Sequence, residues 1–145
     1  MDGPFIRGLS PIFPIFRDSN VAAICCDNRN AARRVADFFV TRGFESVAYI
    51  AGTENTSTNS ERESGFTERL AEHGLSAPQR ALGGYSYQGG YDAALQLGEK
   101  QDYLQAVFCA NDIMAMGAMD AIRFRLGLRI PEDVSVVDLN QKTSP

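Results

Sequence analysis

The chain has 145 residues, 44% of them hydrophobic, enough for one ordinary domain with its own core. Charged residues make up 22% with no block of like sign, which argues against wholesale disorder. Lys and Arg number 14 against 18 Asp and Glu, for a formal net charge of −4, the wrong sign for a domain that binds nucleic acid by displacing phosphate counterions, and no apolar run approaches the ~20 residues of a membrane span.

Residues 1–19 carry Phe5, Ile6 and the run Ile12-Phe13-Pro14-Ile15-Phe16. Pro14 confines that run to an edge strand or to no strand, so 1–19 reads as a segment crossing over from a preceding subdomain. Charge and prolines stand where a signal peptide needs an apolar stretch, so export is not expected. Residues 21–26, VAAICC, form the first buried-strand run and end in Asp27-Asn28. A helix follows, capped by that pair, with Ala32, Val35, Ala36, Phe39 and Val40 on one face and Arg42-Gly43 at its end. Residues 47–51 are a second strand, closed by Gly52.

Residues 53–59, TENTSTN, read as a polar loop, in which Asn55-Thr56-Ser57 matches a glycosylation sequon relevant only to a secreted chain. Ser60-Glu61-Arg62-Glu63 fits a capping box opening a helix with Gly65, Phe66, Leu70 and His73 inward and Gly74 as its stop. A short strand is expected around Ala81-Leu82, and Tyr85-Ser86-Tyr87 leads into a helix with Tyr91, Ala94 and Leu95 inward. Residues 106–109 (AVFC) are a short buried strand, and Asn111-Asp112 is the polar break that caps the next helix. That helix spans 113–126, with Gly127 as its left-handed stop, Pro131 blocking a restart and 134–137 (VSVV) as the last strand. Ile113, Met114, Met116, Gly117, Ala118, Met119, Ala121, Ile122, Phe124 and Leu126 surround it, and a helix apolar all round is covered on more than one side.

Strands alternating with helices predict an α/β fold: a three-layer, doubly wound, mainly parallel sheet with helices on both faces and a flavodoxin-like topology. Residues 20–140 would form this unit and 141–145 a tail. Cys25, Cys26 and Cys109 each lie in a strand-like run, where a thiol is most often a buried small hydrophobe of a reducing compartment. Adjacent Cys25 and Cys26 point to opposite faces, His73 is the one histidine and there is no Cys-x-x-Cys, so no metal is expected.

Ligands of such sheets sit at the C-terminal ends of the strands. There the sequence puts Asp27 and Asn28, the polar loop with Arg62, Tyr85, Asn111 and Asp112, and Asp138 with Asn140. Polar donors and acceptors with one guanidinium and an aromatic wall suit a small polar molecule such as a sugar or nucleoside. Each residue has a plainer reading too: Arg62 as a surface cation offset by Glu61 and Glu63, Tyr85 as a core-edge tyrosine, Asn111 as an N-cap. No G-x-G-x-x-G, P-loop or G-x-S-x-G motif is present, and Lys100 and Lys142 do not follow a strand as a phospho-acceptor domain requires.

AVFCANDIMAMGAMDAIRFRLGLRIPEDVSVV resembles the closing portion of the sensor region of the lactose-repressor/galactose-repressor (LacI/GalR) family, and ENTSTNSERESGF and YSYQGGY extend the likeness to most of residues 12–137. The resemblance implies a periplasmic-binding-protein-like subdomain, with Arg62, Tyr85 and Asn111 contacting an effector and Phe16-Arg17 as a contact pair from the N-terminal half. It puts Asn140 at the family's effector-binding aspartate, where Asp138-Leu139-Asn140 departs from the family's Val-Gly-Phe-Asp. It implies a cytoplasmic transcriptional regulator rather than an enzyme, with no cofactor and no membrane. A sugar or related metabolite would bind between two subdomains, and operator DNA would be met only through a helix-turn-helix domain that this chain does not contain. The 113–126 helix would join a homodimer through Met116 and Met119. The alternative is a periplasmic sugar-binding protein of an import system, and an enzyme of flavodoxin-like fold stands behind both.

Overall fold

Short apolar runs separated by amphipathic segments bury both kinds of element at once only if the strands lie side by side and the helices cover the two faces. The computed structural model describes residues 3–6, 27–53, 56–100 and 104–140. Its elements are β1 (Gly3–Ile6), α1 (Asn28–Thr41), β2 (Val47–Ala51), α2 (Ser57–Glu72), β3 (Gln79–Leu82), α3 (Tyr87–Lys100), β4 (Ala106–Cys109), α4 (Asp112–Asp120), a π-helical turn (Ala121–Arg125) and β5 (Ser135–Asn140). The sheet order is β1-β5-β4-β2-β3. The strands from β2 to β5 pair in parallel, with Tyr49 opposite Phe108 and Phe108 opposite Val137. β1 runs antiparallel along β5, with Phe5 opposite Asp138. The expected mainly parallel sheet is therefore present, with one antiparallel edge of the sort that α/β sheets often carry. That edge comes from the segment read as a crossover. The strand expected at 21–26, with Cys25 and Cys26, lies outside the described residues.

α1 packs on α2 over one face, and α3 on α4 over the other. Under the first pair sits an aromatic core: Phe66 lies 4.9 Å from Phe108 and 5.7 Å from Phe39, and Tyr49 lies 5.3 Å from Phe108. All four are buried. The second pair is held closer by glycine. A Cβ on Gly117 would collide with the Tyr87 carbonyl, and one on Gly90 with the Met114 backbone. Cys109 is a buried thiol in this core.

Several local expectations change. α2 opens at Ser57, capped by Thr56 Oγ1, which accepts from the Asn59 amide at 3.3 Å. The end of the polar run read as loop, from Ser57, is thus already helical, so Ser60 and Glu63 form no capping box. Glu63 instead receives Arg80 Nε at 2.5 Å. His73 is the exposed C-cap rather than an inner residue, with Nε2 2.8 Å from Asp37 Oδ1. On α3 the inward residues are Gly90, Ala93, Ala94 and Leu97, with Tyr91 and Leu95 half-buried at its flanks.

The last helix is not α throughout. After Asp120 it widens into the π turn, where the Leu126 amide donates to the Ala121 carbonyl at 3.0 Å. The extra residue turns Phe124 outward, 76% exposed, and leaves Leu126 beneath, against Gly98. Nor is α4 covered all round: Met114, Ala115, Gly117 and Ala118 face the core, while Ile113 and Met116 are about half exposed. Met119 is half-buried against the core instead of standing outward with Met116.

A candidate effector site at the strand ends

Parallel strands bring their C-terminal ends to one rim, and the helices that follow begin there. Along this rim stand Gly52 after β2, Tyr85 after β3, Ala110-Asn111 after β4 and Asp138 near the end of β5. Arg62 ties several of them together. With α2 opening a turn early, Arg62 falls in the second turn and on the inner face, 1% exposed, rather than among surface charges. Its Nε donates to Asn28 Oδ1 at 3.2 Å and its Nη1 to the Ala110 carbonyl. Its Nη2 is buried and has no hydrogen-bond partner among the described residues. Burial lowers the guanidinium's pKa from its ordinary value. The Tyr49 and Tyr85 hydroxyls and the Asp138 and Glu61 carboxylates act in the opposite sense.

The ring of Tyr85 lies across Gly52, where any Cβ would collide with it. Tyr85 holds φ at +65°, which costs a residue with a Cβ about 1 kcal/mol and occurs most often at functional sites. Its hydroxyl is 3.3 Å from Thr56 Oγ1, and its amide donates to Met114 Sδ at 3.3 Å. Asn111 is half-buried at the N-cap of α4, where its Oδ1 accepts from the Met114 amide at 3.0 Å. One acceptor is thereby occupied, while its Nδ2 still has two hydrogens to give. Asp27 caps α1 through a 3.1 Å bond from the Asn30 amide, as expected.

The structure therefore brings Arg62, Asn28, Ala110-Asn111 and Tyr85 to one rim. Asn140 is the last residue of β5, and its side chain is outside the described residues, as are Phe16 and Arg17. One structural member escaped sequence reading. Asn59, 2% exposed, accepts at Oδ1 from the Tyr49 hydroxyl and the Gly52 amide, each at 2.8 Å, and so pins the end of β2 to α2. Its signal in the sequence is only one Asn in a polar run. Asp138 is likewise wholly buried, although the sequence places it beside the strand's end.

An open parallel sheet with a buried, incompletely bonded cation and an aromatic plate at its strand ends defines a ligand-binding α/β subdomain. Residues 36–145 match the periplasmic binding protein-like domain model, and the chain belongs to that family, in the branch found in LacI-type regulators. The chain is 31% identical over 122 residues to the probable HTH-type transcriptional repressor ExuR of Bacillus subtilis, covering 83% of this chain and 36% of that protein. A LacI-family regulator from Burkholderia phymatum superposes with a TM-score of 0.71 at 36% identity, over 76% of this chain and 40% of that one. The complex of the regulator CelR with cellobiose superposes with a TM-score of 0.69 at 29% identity, over 76% of this chain and 34% of that one. The chain thus spans a little over a third of the length of these relatives.

Proposed function

We propose that these residues are the C-terminal effector-binding subdomain of a LacI-type transcriptional regulator, a sensor and not an enzyme. A small polar effector, most simply a sugar, docks against the strand-end rim and is closed over by a second subdomain. Closure changes the geometry of a homodimer and thereby the grip of DNA-binding heads outside these residues, a coupling typically worth about 1–3 kcal/mol. The observation that carries this reading is the buried Arg62 Nη2, a charged donor taken out of water without a partner. Leaving such a group unbonded is costly, and a ligand oxygen removes that cost on binding. The CelR–cellobiose complex supports a carbohydrate, and relatives named as HTH-type repressors support a regulator over an import protein.

In this assignment Arg62 and Asn111 donate to ligand hydroxyls, Tyr85 supplies the apolar plate, and Asn140 with Phe16 and Arg17 completes the contact set. Asn140, as an amide, both donates and accepts. Met116 supplies dimer contact, with Met119 at the margin of that face. A panel of neutral mono- and disaccharides, followed by thermal shift and then calorimetry on the protein that carries both subdomains, tests the site; these residues alone are expected to bind only weakly. One sugar is expected to raise the melting temperature, and Arg62→Ala to weaken it by about 10–100-fold, the worth of a charged hydrogen bond. No response from any sugar, or a response untouched by Arg62→Ala, would refute the assignment.

A further inference from the structure

Resting on the effector-site reading, we propose that this wall selects an uncharged ligand and turns away anions such as a phosphate or a sugar carboxylate. The opposite is the first expectation, because four helices begin at the rim and helix N-termini attract anions. Each of those ends is already occupied. Asp27 takes the Asn30 amide at 3.1 Å, Thr56 the Asn59 amide at 3.3 Å, Ser86 Oγ the Gly89 amide at 2.8 Å and Asn111 the Met114 amide at 3.0 Å. Asp27 is itself a carboxylate, and Asp112 adds a second in the first turn of α4. The dipoles are satisfied by the protein's own side chains, and two of the four ends carry a carboxylate.

Arg62 does not reverse this. Anions prefer the guanidinium fork, two parallel N–H groups at once. The single Nε hydrogen is spent on Asn28 Oδ1, which closes the side-on fork, and Nη1 already donates to the Ala110 carbonyl. Nη2 alone has no partner among the described residues, and both its hydrogens are buried, where a neutral hydroxyl or carbonyl oxygen reaches them at a far lower desolvation cost than an anion does. The charge is also answered from within: Asp138, wholly buried, and Glu61 both face it favourably, and Glu61 is held in place by Asn28 Nδ2 at 3.2 Å. Arg29, beside Asn28, is turned to Glu68. An incoming anion would therefore be desolvated near the carboxylates of Asp27, Glu61, Asp112 and Asp138, with no unpaired cation among the described residues of this wall to meet it.

The test uses inorganic phosphate and D-galacturonate as probes on this chain at constant ionic strength, followed by the Arg62 Nε–Hε resonance and the Met114 amide. Wild type is expected to show no saturable response at millimolar anion. Asp112→Asn and Asp138→Asn, each isosteric, are expected to raise phosphate affinity by about tenfold or more. Asp112 lies in the first turn of a helix and is only partly buried, so its variant reports even if Asp138→Asn loses the fold by circular dichroism. Saturable binding of either anion by wild type, lost in Arg62→Ala, would overturn the proposal, as would variants that bind phosphate no better than wild type. The outcome is separable from that of the sugar panel. A wild-type anion site leaves an effector site standing with its preference reversed, whereas phosphate gained by Asp112→Asn with every sugar silent keeps the charge argument and removes the regulator.

Discussion

At the scale of single residues, what distinguishes this rim is the way polar side chains have been buried. Arg62 is inside because α2 starts one turn early, and its stem then points toward the sheet where Asn28 and the Ala110 carbonyl can meet it. Asn59 occupies the same turn and closes the other side, accepting from the Tyr49 hydroxyl and the Gly52 amide. Truncating it strands two buried donors, each worth about 1–3 kcal/mol when left unbonded. Asn59→Ala is therefore expected to lower the unfolding free energy by about 2 kcal/mol or more, read from urea denaturation. An unchanged midpoint would show that water replaces the amide. Neither residue announces this role in the sequence: an Asn and an Arg amid Ser, Thr and Glu look solvated until the helix start is known.

At the scale of elements, two helix pairs are joined by different physics. α1 and α2 carry a ladder of ion pairs at their exposed seam, Arg33 with Glu72 at 2.8 Å and Arg69 with Glu72 at 2.7 Å and with Asp37 at 2.6 Å, and His73 Nε2 is within hydrogen-bonding distance of Asp37 at 2.8 Å. Hydrogen bonds first from Arg33 and then from Arg69 hold the Glu72 carboxyl at about 2, below its ordinary 4.5. The Asp37 carboxyl is also lowered: burial works to raise it, but the bonds from His73 and Arg69 prevail. A depressed folded-state value means the stabilisation is complete above the unfolded-state value and is lost as pH falls through the folded one. The melting temperature is thus expected to decline between pH 4.5 and about 2, and Glu72→Gln to flatten that decline while lowering the neutral-pH value slightly. A parallel pH profile in the variant would contradict it. α3 and α4 instead meet backbone to backbone, through Gly90 and Gly117. Gly117→Ala pushes a methyl into the Tyr87 carbonyl and is expected to cost about 1–3 kcal/mol in thermal or urea unfolding. Retention of full stability would mean that the helices slide apart freely.

At the scale of the whole molecule, the faces left open are as informative as the core. The strand-end rim presents the half-buried Tyr85 and Asn111 beside the buried Arg62, and a cleft ligand needs a second wall to exclude water. α4 presents Ile113 and Met116, each about half exposed, and the π turn presents Phe124. Large apolar side chains exposed together mark an association surface. If the proposed homodimer uses this face, Met116→Glu is expected to shift sedimentation velocity toward monomer without changing the circular dichroism. An unaltered sedimentation coefficient would remove α4 from the interface. Among the described residues, no helix is long and apolar enough to cross a membrane.

Periodicity alone carried the layered α/β architecture, because strand and helix repeats differ and each apolar face must be buried. It placed β2 and β4 closely, and the start but not the end of β5, which runs on through Asp138 to Asn140; it also placed the glycine stops at Gly43, Gly74 and Gly127, all with positive φ in the structure. Residue chemistry at the strand ends, with the family likeness, marked Arg62, Tyr85 and Asn111. Tertiary structure decided what depends on neighbours distant in sequence. Thr56 rather than Ser60 opens α2, β1 folds back antiparallel on β5, the last helix widens after Asp120, and Met119 turns toward the core while Met116 does not. Caps, edges and helix pitch are settled by competing local options that lie within a kcal/mol or so of one another, and packing selects among them.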